Sequence, residues 1–243
     1  MIRSLNDLLD YAINASDGVI GSVSDVYLDD AGWTVRYLVV DTGTWLPGRK
    51  VLLPASALDA PDTDSRQFPV RLTRKQVEDS PGTDTARPVN RQEEEALAGY
   101  FGVEPYWLSG SLIGPAELPT VPAEPPADAA RRGDPHLRSG REITGYAIAA
   151  TDGDIGTVSD LLIDDTDWRV RYLLVDTGTW LPGRKVVFAP GWVESIDWAT
   201  GAVRVGLTRD RVRNSPVPES VPEVNRAYEE QLHSHYLRDP YWM

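Results

Sequence analysis

The sequence contains no cysteine. Disulfides, thiolate metal sites, iron–sulfur clusters and cysteine nucleophiles are excluded together, and the lack favours a reducing, cytoplasmic setting. Histidine is scarce as well, with three in 243 residues. No apolar run approaches the ~18 residues that span a membrane. The stretch from Met1 to Gly18 carries acids where a secretory signal has an apolar core, so neither secretion nor membrane insertion is expected. Basic charge is in deficit: 24 Lys and Arg face 37 Asp and Glu, for a net charge of −13. Such an acidic chain repels phosphate backbones and anionic headgroups, so neither a nucleic acid nor a membrane surface is an expected partner.

What is present is a globular composition, 41% hydrophobic and 25% charged, and a duplication. A shift of 135 residues aligns the two halves without a gap: Asp17-Gly18 falls on Asp152-Gly153, Trp33 on Trp168, Leu72-Thr73-Arg74 on Leu207-Thr208-Arg209, and Pro105-Tyr106-Trp107 on Pro240-Tyr241-Trp242. The dodecamer VDTGTWLPGRKV occurs at Val40–Val51 and again at Val175–Val186. Two copies make a duplicated domain and not a solenoid, which needs three or more units. The segment from Ser109 is rich in Pro and Ala and poor in aromatics, and reads as a semi-stiff linker. The expected organisation is a first repeat over residues 1–108, a linker over 109–137 and a second repeat over 138–243.

Each repeat reads mainly as strand. Tyr11–Ala15, Val19–Leu28, Trp33–Asp41, Arg49–Leu53 and Gln67–Leu72 are strand-like, separated by Gly/Asp/Ser turn clusters, and the second copy repeats the series. A short helix starts after Thr73, and Asn90–Tyr100 and Asn225–Tyr236 read as helices capped by Asn. Short strands at this spacing predict a small antiparallel barrel followed by a short C-terminal helix, twice over, in a pseudo-two-fold tandem.

These blocks, DGxIGxVxDxxxDDxxWxVRYLxVDTGxWLPGRKV, LTRxxVxxSP and NRxxEExLxxxYxxxPYW, resemble the PRC-barrel proteins. That family is named after the cytoplasmic domain of the photosynthetic reaction-centre H subunit and includes the C-terminal domain of a ribosome-maturation factor. The resemblance covers about residues 3–107 and 138–242. It implies a small six-stranded β-barrel that binds protein partners without catalytic chemistry. The membrane helix of the reaction-centre subunit and the preceding barrel of the ribosomal factor have no counterpart in this sequence, so a photosynthetic or ribosomal role rests on fold analogy alone.

The repeated loop Gly43-Thr44-Trp45-Leu46-Pro47-Gly48-Arg49-Lys50 has glycines and bases like a phosphate loop. However, it lacks the Lys-Ser/Thr that opens a helix and runs into the β-type Val51-Leu52-Leu53. Leu46-Pro47-Gly48-Arg49 fits a type II turn, with Pro setting φ at the second position and Gly taking positive φ at the third. Trp45, Arg49 and Lys50, with Trp180, Arg184 and Lys185, are candidates for an interaction loop, since Trp and Arg dominate interface hot spots; capping of the barrel end is the structural alternative. Tyr106-Trp107 and Tyr241-Trp242 are candidate packing or interaction aromatics. Asp25, Asp29, Asp30 and Asp41, repeated at 160, 164, 165 and 176, match no Ca²⁺-loop spacing. Asp41 and Asp176 are expected to hold a turn or to pair with Arg36 and Arg171. His233 and His235, two apart on a helix, do not share a face as metal ligands would, and the first repeat has Ala98 and Tyr100 there. No catalytic residue, metal or cofactor is expected. The function expected is a non-enzymatic protein–protein interaction or assembly module, with an unidentified protein or a second copy as partner. The alternative is a small-ligand or ion-binding protein with a site between the repeats, lined by Trp45, Arg49, Trp180 and Arg184.

Overall fold

A computed structural model describes residues 1–82, 89, 91–107, 137–218 and 224–242. The expected linker, apart from Leu137, and the expected helix cap Asn90 lie outside the described residues. The first repeat supplies β1 (Ile2–Ser4), α1 (Leu5–Leu8), β2 (Ala12–Ala15), β3 (Gly18–Asp29), β4 (Thr34–Asp41), β5 (Lys50–Pro54), β6 (Gln67–Pro69), α2 (Arg74–Glu78) and α3 (Arg91–Phe101). The second supplies β7 (Leu137–Ser139), α4 (Gly140–Ile143), β8 (Ala147–Ala150), β9 (Gly153–Asp164), β10 (Val170–Asp176), β11 (Lys185–Phe188), β12 (Val193–Asp197), β13 (Ala202–Val205), α5 (Arg209–Arg213) and α6 (Arg226–Tyr236).

These elements form two compact units. The first comprises Asp10–Ala31 and Arg36–Arg138; the second comprises Met1–Leu9, Gly32–Val35 and Ser139–Met243. The sheet of the first runs β5-β4-β3-β2-β6, with β7 added on β3; that of the second runs β11-β10-β9-β8-β13-β12, with β1 added on β9. Each unit thus takes one strand from the repeat that supplies the other unit.

Each long strand carries a glycine where a neighbouring backbone comes close. Along β3, a Cβ on Gly21 would sit 2.0 Å from the Asp41 carbonyl oxygen, and one on Gly156 of β9 would sit 2.0 Å from that of Asp176. Only a residue without a side chain lets the two backbones approach so closely. The β2–β3 register shifts between Ile13 and Asn14, and the β8–β9 register between Ile148 and Ala149. Such bulges increase local twist and bending. β9 can therefore pair with β8 through Gly153–Thr157, with β10 through residues 157–163, and with β1 through Leu162–Asp164.

Two features depart from the expected closed antiparallel barrel. First, β2 pairs with β6, and β8 with β13, in parallel. The connection after β5, with its 3₁₀ turn at Ala55–Ala57, brings the chain back to run alongside β2. Pro69 sits on β6, the end strand, where a missing N–H costs no ladder bond. Second, backbone pairing does not close either sheet among the described residues: β5 and β6 end one, β11 and β12 the other. Side chains of the C-terminal helix pack there instead. Leu97 of α3 joins Tyr27, Tyr37, Val39 and Leu52 in the first core, and Tyr236 of α6 lies 6.0 Å from the Phe188 ring and 4.9 Å from Trp192. Each such large apolar side chain contributes about 1.5–3 kcal/mol by leaving water.

Local chemistry explains the short helices. Thr73 caps α2 in a full capping box with Gln76, and Thr208 caps α5. Asn225 caps α6, its side chain accepting from the Tyr228 N–H at 3.1 Å, as its residue type predicts.

Candidate functional site

Residues 42–49 of the first unit form the turn that their sequence predicts. The Arg49 N–H donates to the Leu46 carbonyl at 3.0 Å, and Gly48 has φ +75°. Thr42, buried, donates from Oγ1 toward the Leu46 and Arg49 carbonyls at 2.8 and 2.6 Å, and the Gly43 N–H donates to Asp41 Oδ1 at 2.8 Å. The loop is stitched from within. It is also fastened to α2. Arg49 donates to the Glu78 carbonyl at 2.6 Å and to that of Ser80, taking up carbonyls at the negative end of the helix. Arg74, the first residue of α2, places its guanidinium carbon 4.7 Å from the Trp45 ring centroid. Its backbone N–H meets Asp17 Oδ1 at 2.7 Å.

The second unit repeats the arrangement. Arg184 donates to the Ser215 carbonyl, Arg209 lies 4.6 Å from the Trp180 ring, and the Arg209 N–H meets Asp152 at 2.8 Å. Trp45, Arg49, Trp180 and Arg184 are half-buried, while Lys50 and Lys185 are exposed and stand opposite Asp41 and Asp176 in the ladders.

The Tyr-Trp segments meet equivalent arginines in the two units, Arg36 and Arg171, which stand 135 residues apart. In the first, the Arg36 guanidinium stacks 3.9 Å over Tyr106, and Arg36 pairs with Asp29 at 2.7 Å. In the second, Arg171 stacks 3.9 Å over Tyr241, and Arg226 lies 3.8 Å over Trp242. Arg171 pairs with Asp164 and Asp167. The pairing expected of Asp41 and Asp176 with these arginines is therefore made by Asp29 and Asp164, which lie on the strand neighbouring each arginine. Asp41 and Asp176 hold their turns, as the alternative had it.

Sequence reasoning missed a buried polar cluster in the second unit. Glu229 of α6 is 3% exposed. Its Oε1 accepts from the Tyr172 hydroxyl at 2.8 Å and from the Tyr241 hydroxyl at 2.9 Å, while Oε2 faces Arg226 at 3.4 Å. His233, one turn on, lies 3.2 Å from the Tyr172 hydroxyl through Nε2, and its Nδ1 lies 3.3 Å from the Arg238 carbonyl. Trp192 and Trp242 flank the imidazole at 5.1 and 5.4 Å. Burial pushes the Tyr172 phenol well up, and the Glu229 charge adds to it. Tyr241 is pushed up to about 12 for the same two reasons. Burial lowers His233 below the usual imidazole value. His235, by contrast, sits half-exposed against the Arg211 carbonyl at 2.8 Å, so the two rings serve different neighbours. A glutamate on a helix ordinarily reads as a solvated position. The available signal was its recurrence, since Tyr37 and Glu94 stand 135 residues before Tyr172 and Glu229 and are buried too.

Beside this cluster lies an open depression of about 410 Å³ lined by Leu237, Arg238, Pro240 and Trp242 among others. Leu237 ends α6 in the left-handed region at φ 53° and is 78% exposed. Among the described residues, no helix is long and apolar enough to cross a membrane.

The PRC-barrel domain model matches residues 3–77 and again 135–208. The matches take in both hairpin loops and both acceptor strands β3 and β9, and end before α3 and α6 with their Tyr-Trp segments. A Deinococcus radiodurans protein named only "Uncharacterized protein" is 37% identical over 71 residues, which are 29% of this chain and 25% of that protein. The chain thus matches about a quarter of that relative's length. The two matched regions together span more than half of the chain, and the chain belongs to the PRC-barrel domain family, with two copies of the domain.

Proposed function

We propose that this chain is a non-enzymatic interaction or assembly module, whose PRC-barrel units bind protein segments by strand addition. The supporting observation is that both long strands, β3 and β9, carry an added three-residue strand from a distant part of the sequence. Strand addition gains affinity from the backbone ladder and specificity from alternate side chains. The repeated arginines and tryptophans that make the hairpin loops look reactive are engaged with α2 and α5, which favours a structural role for the loops. The net charge of −13 favours a protein partner over a nucleic acid, and the lack of cysteine fits a cytoplasmic setting.

The test is crosslinking capture from a lysate of the source organism with mass spectrometry, run beside an Asp30→Asn/Asp165→Asn variant. The expected result is a specific partner, or a second copy of the chain, that the variant loses while keeping its far-UV circular dichroism. A wild-type chain that recovers nothing and stays monomeric by light scattering at every concentration would end the reading.

A further inference from the structure

The added strands are equivalent. Ile2-Arg3-Ser4 pairs antiparallel with β9, with Ile2 opposite Asp164, Arg3 opposite Ile163 and Ser4 opposite Leu162. Its side chains are recognised one by one. Arg3 Nε donates to Asp165 Oδ2 at 2.5 Å, and Ser4 Oγ donates to Asp160 Oδ2. The Asn6 N–H meets Asp160 Oδ1 at 3.1 Å, and its side-chain amide meets the Ser159 carbonyl at 2.9 Å. Leu5 and Leu8 of the following turn are buried. In the first unit, β7 pairs with β3, Arg138 faces Asp30 at 3.3 Å, and Leu137 fills the core beside Tyr27, Tyr37 and Leu97.

Leu137-Arg138-Ser139 stands 135 residues after Ile2-Arg3-Ser4, as Asp165 does after Asp30. Ser4 and Ser139 also cap the short helix that follows each strand. A segment of this pattern finds the same contacts on any copy of the chain. The connection out of the second unit runs from Leu9 to Asp10, which is held at φ +68°.

We propose that Ile2–Leu8 is an exchangeable strand, and that the acceptor formed by β9 with Asp160 and Asp165 binds the same segment of a second copy of this chain, giving a strand-exchanged dimer. This rests on the interaction-module reading and names its partner. Exchange conserves every strand pair, so concentration alone sets the balance. The dimer forms when the chain exceeds the effective concentration of its own tethered strand, on the order of millimolar for a short connection.

The absence of cysteine makes the test clean. Chains carrying Ile2→Cys and chains carrying Asp164→Cys are mixed, refolded together at about 1 mM and at about 1 µM, and oxidised. The expected product at high concentration is an interchain disulfide joining positions 2 and 164, identified by peptide mapping and at least tenfold scarcer at low concentration. No such link at either concentration overturns exchange between copies. The double variant on one chain, at low concentration, separates that failure from the wider reading: an intrachain link shows the acceptor intact, and its absence removes the acceptor and the interaction-module reading with it. Light scattering of the wild type refolded at both concentrations guards against variants that do not fold. A monomer at about 1 mM would also overturn the exchange.

Discussion

Arg74 lies with its guanidinium carbon 4.7 Å from the centroid of the Trp45 ring. The pair ties the hairpin tip to the first turn of α2, and a Cβ on Gly18 would lie 3.4 Å from Cδ of the same arginine. A cation over an indole contributes about 0.5–2 kcal/mol, and the half-buried ring adds apolar burial. Trp45→Ala is expected to lower the unfolding free energy by about 1–3 kcal/mol, and Trp180→Ala by a similar amount. Urea unfolding followed by circular dichroism measures both. Unchanged midpoints would make these tryptophans surface groups free for a partner.

Gly21 and Gly156 make the sharper prediction. A methyl at either position would overlap a carbonyl oxygen of the neighbouring strand, a contact of 2.0 Å that no rotamer relieves. Gly21→Ala and Gly156→Ala are each expected to cost at least the 1–3 kcal/mol of core overpacking, roughly. Gly43→Ala meets nothing within 4 Å and suffers only from its φ of +56°, so it should cost about 1 kcal/mol. Thermal unfolding of the three variants tests the order. Gly43→Ala as the most damaging would refute the close-approach account.

Turn and cap chemistry was legible in the sequence because it is local. Pro47-Gly48 dictates its turn, and Thr73 and Asn225 announce the helices they cap. The added strands were not legible. Three residues carry no period, and the acceptor of Arg3 lies 162 residues away. β12 was missed for another reason: Val-Glu-Ser-Ile-Asp is half-exposed and polar, and its counterpart in the first repeat forms isolated bridges, Leu58–Val70 and Asp62–Gln67, in place of a continuous strand. The parallel pairing of β6 with β2 and of β13 with β8 depends on the path of a connection, which no periodicity encodes. Within the C-terminal segments, Tyr241 and Trp242 stood out as aromatics. Glu229 did not, because its burial follows from the two phenols and the arginine that surround it.

Tyr172 is the fully buried donor to Glu229. Tyr172→Phe keeps the ring and removes one of the two phenolic hydrogen bonds to a buried carboxylate, which should cost about 1–3 kcal/mol. Tyr241 is more exposed, so Tyr241→Phe should cost less. The two hydroxyls share one oxygen, so the double variant should depart from additivity by about 0.5 kcal/mol or more. A double-mutant cycle in denaturant measures the coupling, and strict additivity would show that the hydroxyls act independently.

His233 gives the second unit a pH dependence whose sign is fixed by its burial. Facing the ring are the Tyr172 hydroxyl, Trp192, Trp242 and the Arg238 carbonyl, with Glu229 and Arg226 nearby. Burial holds the folded-state pKa below the usual imidazole value, whereas the unfolded chain titrates near about 6.5. Below that pH the unfolded state binds the proton first, so stability falls as the pH drops, and the loss levels off once the pH passes below the folded value. The slope contributed is at most about 1.4 kcal/mol per pH unit. His233→Gln removes the titrating group while retaining a polar side chain. Guanidinium unfolding midpoints between pH 7.5 and pH 5 should therefore fall more steeply for the wild type than for the variant. His235 remains in both proteins and cancels in the comparison. Parallel pH profiles would show that His233 protonates as readily in the folded unit as in the unfolded chain, and that its contacts with Tyr172 and the Arg238 carbonyl accommodate the imidazolium.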